Sequence, residues 1–215
     1  MISILQINIG NCRAAQDLVR ATTDQEKIDV VIISEQYRNT NEEEGWYSDQ
    51  SGLSAVEIVN KKISIDEAGP CERGFKWVQI KGIRIYSCYC SPNTGIVNFI
   101  DFVTRLENSI RTSKVPTLVA GDFNAHSPSW GSPKEDKRGE ILADMIATTN
   151  LNICNIGNEP TFVRGASRTH IDITLASENL MPHVRNWRVL DEESLSLHKY
   201  IMYEVKENSP RRAQQ

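Results

Sequence analysis

Gly74-Phe75-Lys76-Trp77-Val78-Gln79-Ile80-Lys81-Gly82-Ile83-Arg84-Ile85-Tyr86-Ser87-Cys88-Tyr89 is the stretch whose reading decides the fold class. Gly74 to Gln79 and Ile83 to Tyr89 are rich in β-branched and aromatic residues, and the Ile80-Lys81-Gly82 punctuation between them reads as a hairpin. A hairpin cannot be a parallel crossover, so a simple doubly wound sheet fits poorly. Upstream, Ile2, Ile4, Ile7 and Ile9 bracket one strand and Asp29 to Ser34 reads as a buried second. Between them Arg13 to Glu26 places Ala14, Ala15, Leu18 and Val19 at helical spacing, which suits a helix opening near Asn11. Downstream, Ile96 to Ser113 and Lys137 to Thr149 carry helical apolar stripes. Pro116 to Ala120 is a strand ending at Gly121-Asp122, and strands are expected at Leu151 to Cys154, Ile171 to Leu175, Val184 to Leu190 and Tyr200 to Val205. The expected architecture is α/β: a four-layer sandwich of two packed mixed β-sheets flanked by helices.

The chain has 215 residues, 40% of them apolar and 24% charged, with 24 Lys plus Arg against 28 Asp plus Glu and a net charge of −4. That balance suits one folded domain and excludes a disordered or collagen-like chain. The Val30 to Ile33 run is far short of the ~20 residues that span a bilayer, and the start does not read as a secretory signal. A mildly acidic chain does not hold nucleic acid by bulk charge; a local basic patch or a bound divalent cation still suits a phosphodiester. The cysteines at 12, 71, 88, 90 and 154 form no Cys-x-x-Cys pair, so they read as buried thiols rather than a disulfide framework or zinc site. The acidic stretch Asn39 to Gly45 reads as a solvated loop, and the polar tail Asn208 to Gln215 as a frayed end.

Asn8, Glu35, Asp122 and Asn124 follow strongly apolar strands, where open α/β sheets present their sites. Each alone has a bland reading as a helix cap, a loop start or a turn. Together, Glu carboxylate and Asn amide oxygens suit Mg²⁺. An Asp two residues before an Asn sets both side chains on one side of an extended segment, one polarising a water and the other fixing it. Asp172 and His198 further on suit a carboxylate that orients an imidazole against developing charge.

Gln6-Ile7-Asn8, Ser34-Glu35-Gln36, Tyr89-Cys90-Ser91-Pro92-Asn93, Gly121-Asp122-Phe123-Asn124, Thr169-His170-Ile171-Asp172 and Ser196-Leu197-His198 resemble, in order and spacing, the endonuclease/exonuclease/phosphatase superfamily. Within it, GDFNAHSPSWGS from Gly121, Arg138-Gly139, Pro160-Thr161-Phe162 and Ile171-Asp172-Ile173-Thr174 resemble the apurinic-type endonuclease domain of insect non-LTR (LINE) retrotransposons. The resemblance implies that Glu35 is the main metal ligand with Asn8 assisting, and that Asp122 activates the attacking water. It implies that Asn124 positions that water or the phosphate, that Tyr89 contacts the phosphate or leaving group, and that Asp172 orients His198. Thr169, Arg164, Arg168, His126 and Asn93 are the expected DNA contacts.

Two departures stand out. Cys90 and Ser91 separate Tyr89 from Pro92 where relatives often have one residue, and Leu197 replaces the usual Asp of the Ser-Asp-His motif. The resemblance also implies Mg²⁺ as cofactor, with Mn²⁺ as the alternative ion, and double-stranded DNA as substrate. It implies an endonuclease domain over residues 1–206, with 207–215 leading toward a reverse transcriptase, element RNA as a further partner, a nuclear location and no membrane. An abasic-site repair nuclease, and a DNA-binding module impaired at Leu197, are the alternatives.

Overall fold

The computed structural model of the chain describes residues 1–37 and 44–207; most of the acidic stretch 39–45 and the tail 208–215 lie outside these. Among the described residues the order is β1 (Ile2–Asn8), α1 (Arg13–Glu26), β2 (Val30–Ser34), β3 (Trp46–Ser48), β4 (Ser54–Ile58), β5 (Glu67–Ala68), β6 (Phe75–Ile80), β7 (Ile83–Tyr89), α2 (Ile96–Arg111), β8 (Thr117–Asp122), α3 (Lys137–Thr148), β9 (Leu151–Ile153), β10 (Phe162–Arg164), β11 (Ser167–Thr169), β12 (Asp172–Ser177), β13 (Val184–Val189) and β14 (Ile201–Val205). One sheet runs β13-β14-β1-β2-β4-β3 and the other β5-β6-β7-β8-β12-β9. β1 and β2 are parallel across α1, and β7 and β8 are parallel across α2, while the neighbouring pairs are antiparallel. Both sheets are therefore mixed, as expected.

Strand alternation sets the layers. Ile2 and Ile4 of β1 and Val30 and Ile32 of β2 meet Ile83 and Ile85 of β7 and Leu118 and Ala120 of β8 in the core between the sheets. The opposite faces take helices: Leu5, Ile7, Val31 and Ile33 pack with Ala15 and Val19 of α1, while Tyr86, Cys88, Val119 and Leu175 pack against α2 and α3 residues such as Phe99, Phe102 and Leu142. At Gly121 the backbone leaves no room for a side chain: a Cβ there would lie 1.9 Å from the Cys88 carbonyl oxygen, and its φ of +151° lies in the region glycine favours.

Several expectations need correction. α1 opens at Cys12 without a side-chain cap, and Asn11 instead takes a left-handed φ of 53°. Asn124 is not on an extended segment; at φ 46° it turns the chain beyond β8. β3, β4 and β5 were not foreseen, since Ser54-Ala55-Val56-Glu57-Ile58 has only weak alternation and is fixed as a strand by pairing with β2. Arg164 and Arg168 end and enter a short hairpin, β10 with β11. All five cysteines are free thiols, but Cys12 is only half-buried and Cys71 is exposed. No described helix is long and apolar enough to cross a membrane.

Candidate active site

The inward faces turn from apolar to polar at one end of the sandwich. Along β1 the inward positions read Ile2, Ile4, Gln6, Asn8, and along β8 Leu118, Ala120, Asp122. Gln6, Asn8, Ser34, Asp122, Asp172 and Thr174 are all buried. Register fixes the row: Tyr89 of β7 pairs with Asp122 of β8, which pairs with Asp172 at the start of antiparallel β12. Asn8 pairs with Ser34, so the facing sheet brings Asn8 and the following Glu35 to the same end. Inter-sheet bonds hold the two rows together: Ser34 Oγ donates to the Cys88 carbonyl (3.1 Å) and Ser87 Oγ to the Ile33 carbonyl (3.0 Å).

Asn8 Nδ2 donates to Glu35 Oε2 (2.9 Å) and Asp122 Oδ2 (2.8 Å), while its Oδ1 accepts the Gly10 N–H (2.8 Å). The opposite amide orientation would set an oxygen against two carboxylates, so the assignment is unambiguous. The oxygen expected to assist at a metal is therefore already engaged, and Asn8 as folded bridges the two acids. Glu35 sits in left-handed backbone (φ 50°), its N–H donating to the Leu53 carbonyl at 2.6 Å. Such strain persists only where surrounding contacts over-determine it.

His198 Nδ1 is 2.8 Å from Asp172 Oδ2 and its Nε2 3.9 Å from Asp122 Oδ2. The Phe162 ring packs edge-on against the imidazole at 4.8 Å. Burial alone would lower the imidazole, but the charges of Asp172, Asp122 and Glu35 outweigh it and push His198 up to about 9. Burial first, then the Asp172 charge, raises Asp122 above the usual carboxylate range, against the opposing pull of His198, the Asn124 N–H and Asn8. Two carboxylates directly opposite across strands are unfavourable unless a cation or shared proton relieves them. Burial and a hydrogen bond to Glu35 raise the Tyr89 phenol well above its ordinary value.

The remaining expected residues surround this centre. Asn124 N–H donates to Asp122 Oδ1 (2.9 Å) and its Nδ2 to the Cys90 carbonyl (3.1 Å). Tyr86, three residues before Tyr89 on β7, is buried in the core, with its hydroxyl 2.9 Å from Ser109. Trp130 is buried and donates to the Ala125 carbonyl (3.1 Å), so it packs the loop after Asn124. His126 and His170 are half-buried in this rim, and the Thr169 hydroxyl and His170 Nδ1 are buried without a hydrogen-bond partner. Arg164, Arg168 and Asn93 are exposed, as is Leu197.

Other supports had no role assigned from sequence. Arg138 is buried and donates to the carbonyls of Ser91, Thr94 and Asn124, with its guanidinium 4.8 Å from the Phe99 ring, so it ties the loop after Tyr89 to the loop after Asp122. A Cβ on the adjacent Gly139 would lie 1.8 Å from the His126 carbonyl oxygen, which gives the Arg138-Gly139 pair a packing reason. Ser196 Oγ donates to the Asn8 carbonyl (2.7 Å) and Ser194 Oγ to the His198 carbonyl (2.6 Å), anchoring the His198 segment to β1. Asp49 is buried and accepts N–H groups from Ser51, Leu53, Ser54 and Gly74. The Leu53 carbonyl then receives Glu35 and the Gly74 carbonyl receives Tyr89, so one carboxylate braces a residue on each sheet. A single Asp in a turn carries no signal in sequence, because its partners are backbone groups distant along the chain.

For a cation, the donor chemistry is suitable. Glu35 is a half-buried hard-oxygen carboxylate at the mouth of the site, the kind of ligand Mg²⁺ takes. Asp122, Asp172 and His198 bring ligand atoms within 4.8 Å of one another and could also hold an ion. Their facing atoms, however, already share the imidazole proton and the Asn8 amide.

Two packed mixed sheets with an acidic and imidazole pocket at their common end define the endonuclease/exonuclease/phosphatase fold. The family model for "Endonuclease-reverse transcriptase" matches residues 83–202, and the chain belongs to that family. Among solved structures, the endonuclease domain of TRAS1, a telomere-specific non-LTR retrotransposon, has a TM-score of 0.82 at 24% identity over 96% of this chain and 99% of that one. The 3′ phosphatase NExo from Neisseria, bound to product DNA hairpin, has a TM-score of 0.73 at 15% identity over 96% and 100%. An AP endonuclease from Archaeoglobus fulgidus has 0.70 at 16% over 95% and 99%. At these identities the likenesses speak to the fold. Comparison with curated protein sequences gives no match.

Proposed function

We propose that this domain is a metal-dependent DNA endonuclease that nicks target DNA to leave a 3′-hydroxyl for target-primed reverse transcription of a non-LTR retrotransposon. The observation that carries the reading is the convergence of Asn8, Glu35, Asp122, Asp172 and His198 from separated strand ends on one buried polar pocket.

Glu35 would hold the cation, Mg²⁺ or Mn²⁺, which supplies neutralisation of phosphate and leaving-group charge. Asp122, raised by burial, takes a proton from the attacking water, and the raised basicity suits a base working near neutral pH. Asn124 sits one turn from that carboxylate and fixes the water or the phosphate. His198, held protonated by Asp172, donates to the phosphoryl oxygens as negative charge builds on them. Attack forms the bond from water oxygen to phosphorus and breaks the bond to the 3′-oxygen, which leaves with a proton from solvent. The products are a 3′-hydroxyl and a 5′-phosphate. Tyr89, bonded to Glu35, lines the leaving-group side, and Thr169, Arg164, Arg168, His126 and Asn93 contact the DNA around the cut. In the full element protein the domain acts in the nucleus beside a reverse transcriptase and the element RNA.

Exposed Leu197 favours a second reading, a DNA-binding module with impaired catalysis. The test is nicking of supercoiled plasmid with and without Mg²⁺, followed by polymerase extension from the nick. Metal-dependent, extendable nicks support the endonuclease; binding without nicking supports the impaired module.

A further inference from the structure

Tyr89, Asp122 and Asp172 form a row across β7, β8 and β12. At the β12 end of that row, the β10–β11 hairpin reaches the site through Phe162 against His198. At the β7 end lies a hollow of about 450 Å³, with Tyr89 as the shared wall between it and the catalytic pocket. Its volume falls in the range of ligand pockets. Phe102 supplies an apolar surface, and Asn93 and Asn98 supply exposed amides at its rim. The acids nearby are already held: Arg105 binds Asp101 (2.9 Å) and Glu72 (3.4 Å), and also donates to the Arg73 carbonyl (2.9 Å). The Arg73 side chain lines the same hollow, is exposed, and has no ion-pair or hydrogen-bond partner among the described residues.

We propose that this hollow is a nucleotide-binding subsite, in which Arg73 takes the phosphate and Asn93 and Asn98 read the base of one nucleotide flanking the cut. It rests on the endonuclease reading above, since a strand crossing the row presents one neighbour to the hairpin and the other to the hollow. Amide side chains can pair with a base edge through one donor and one acceptor. The sequence preference of the nick is then set on the Tyr89 side, at one position.

The experiment compares binding, in EDTA, of duplexes carrying an abasic spacer at each position around the preferred nick, and maps nicks across duplexes with randomised flanks. For the wild type, a spacer at one flanking position is expected to weaken binding about tenfold or more. Asn98→Ala, at an exposed position, is expected to erase that difference, and Arg73→Ala, also exposed, to weaken binding of every duplex about equally. Asn98→Asp, which turns a donor into an acceptor, is expected to change the preferred base. Asn98 variants that bind and nick with the wild-type positional dependence overturn the subsite while leaving the endonuclease intact. A wild type that neither binds duplex nor nicks it overturns both.

Discussion

Asp172 Oδ2 and His198 Nδ1 are 2.8 Å apart in a site where both side chains are almost wholly buried. A charge-assisted hydrogen bond of this kind fixes which imidazole nitrogen faces the row, leaving Nε2 directed toward Asp122 at 3.9 Å. Asp172→Asn keeps the shape but offers an amide where the ring needs an acceptor. Nicking is expected to fall by about 10²- to 10⁴-fold with duplex affinity little changed. Single-turnover nicking and an equilibrium binding titration check this; equal losses in both would point to DNA binding rather than catalysis.

The same pair gives stability a pH dependence in the metal-free protein. His198 is raised above its unfolded value of 6.5 to about 9, so the folded state binds more protons than the unfolded state between those limits. Its contribution is fully present below pH 6.5 and is lost as pH rises through about 9. Asp122, also raised, contributes with the same sign, starting from the carboxylate range. Urea unfolding in EDTA from pH 6 to 10 is expected to show stability falling by up to roughly 1.4 kcal/mol per pH unit. The slope is expected to be shallower in Asp172→Asn. A rising or flat wild-type profile contradicts the assignment.

Asp49 braces Glu35 on one sheet and Tyr89 on the other through single carbonyls. Asp49→Ala strands the buried Ser54 N–H and the part-buried N–H groups of Leu53 and Gly74, and is expected to cost about 3 kcal/mol. Asp49→Asn, which keeps one acceptor oxygen, is expected to cost less but still to raise the Mg²⁺ concentration needed for half-maximal nicking. Denaturant melts and Mg²⁺ titrations check the two halves separately. A fully stable Asp49→Ala protein would remove the brace from the account.

Leu197 stands where the Ser-Asp-His motif that this segment resembles has Asp, and it is half exposed. A carboxylate there would add negative charge next to His198, in a pocket proposed to hold a cation. Leu197→Asp is expected to raise nicking about tenfold, about 1.4 kcal/mol of transition-state stabilisation. Absence of any gain, at equal protein stability, indicates that this site works without that carboxylate.

The layers were legible because β1, β2, β7 and β8 are short β-branched and apolar runs, and the polar residues that close those strands marked the candidate site. The strands that escaped reading, β3 to β5, are short and owe their form to partners: Ile32 pairs with Val56 and Ile33 with Ala55, but nothing in Ser54 to Ile58 alone demands a strand. Asn8 was legible as a site residue but not in its orientation, because the Gly10 N–H claims its oxygen only once the turn forms. Asp49 escaped altogether, and Ser196 was legible only as part of the motif before His198 and not in its role, since their partners are main-chain groups brought together by the fold.

The most direct measurement is nicking of supercoiled plasmid by the wild type and by Glu35→Ala, in Mg²⁺ and in EDTA, with folding of both proteins checked by circular dichroism. Nicking by the wild type in Mg²⁺ alone, with loss of about 10³-fold or more in Glu35→Ala, is the expected result. Equal nicking by a folded Glu35→Ala protein, or nicking that persists in EDTA, would contradict a cation-holding pocket at the common end of the two sheets.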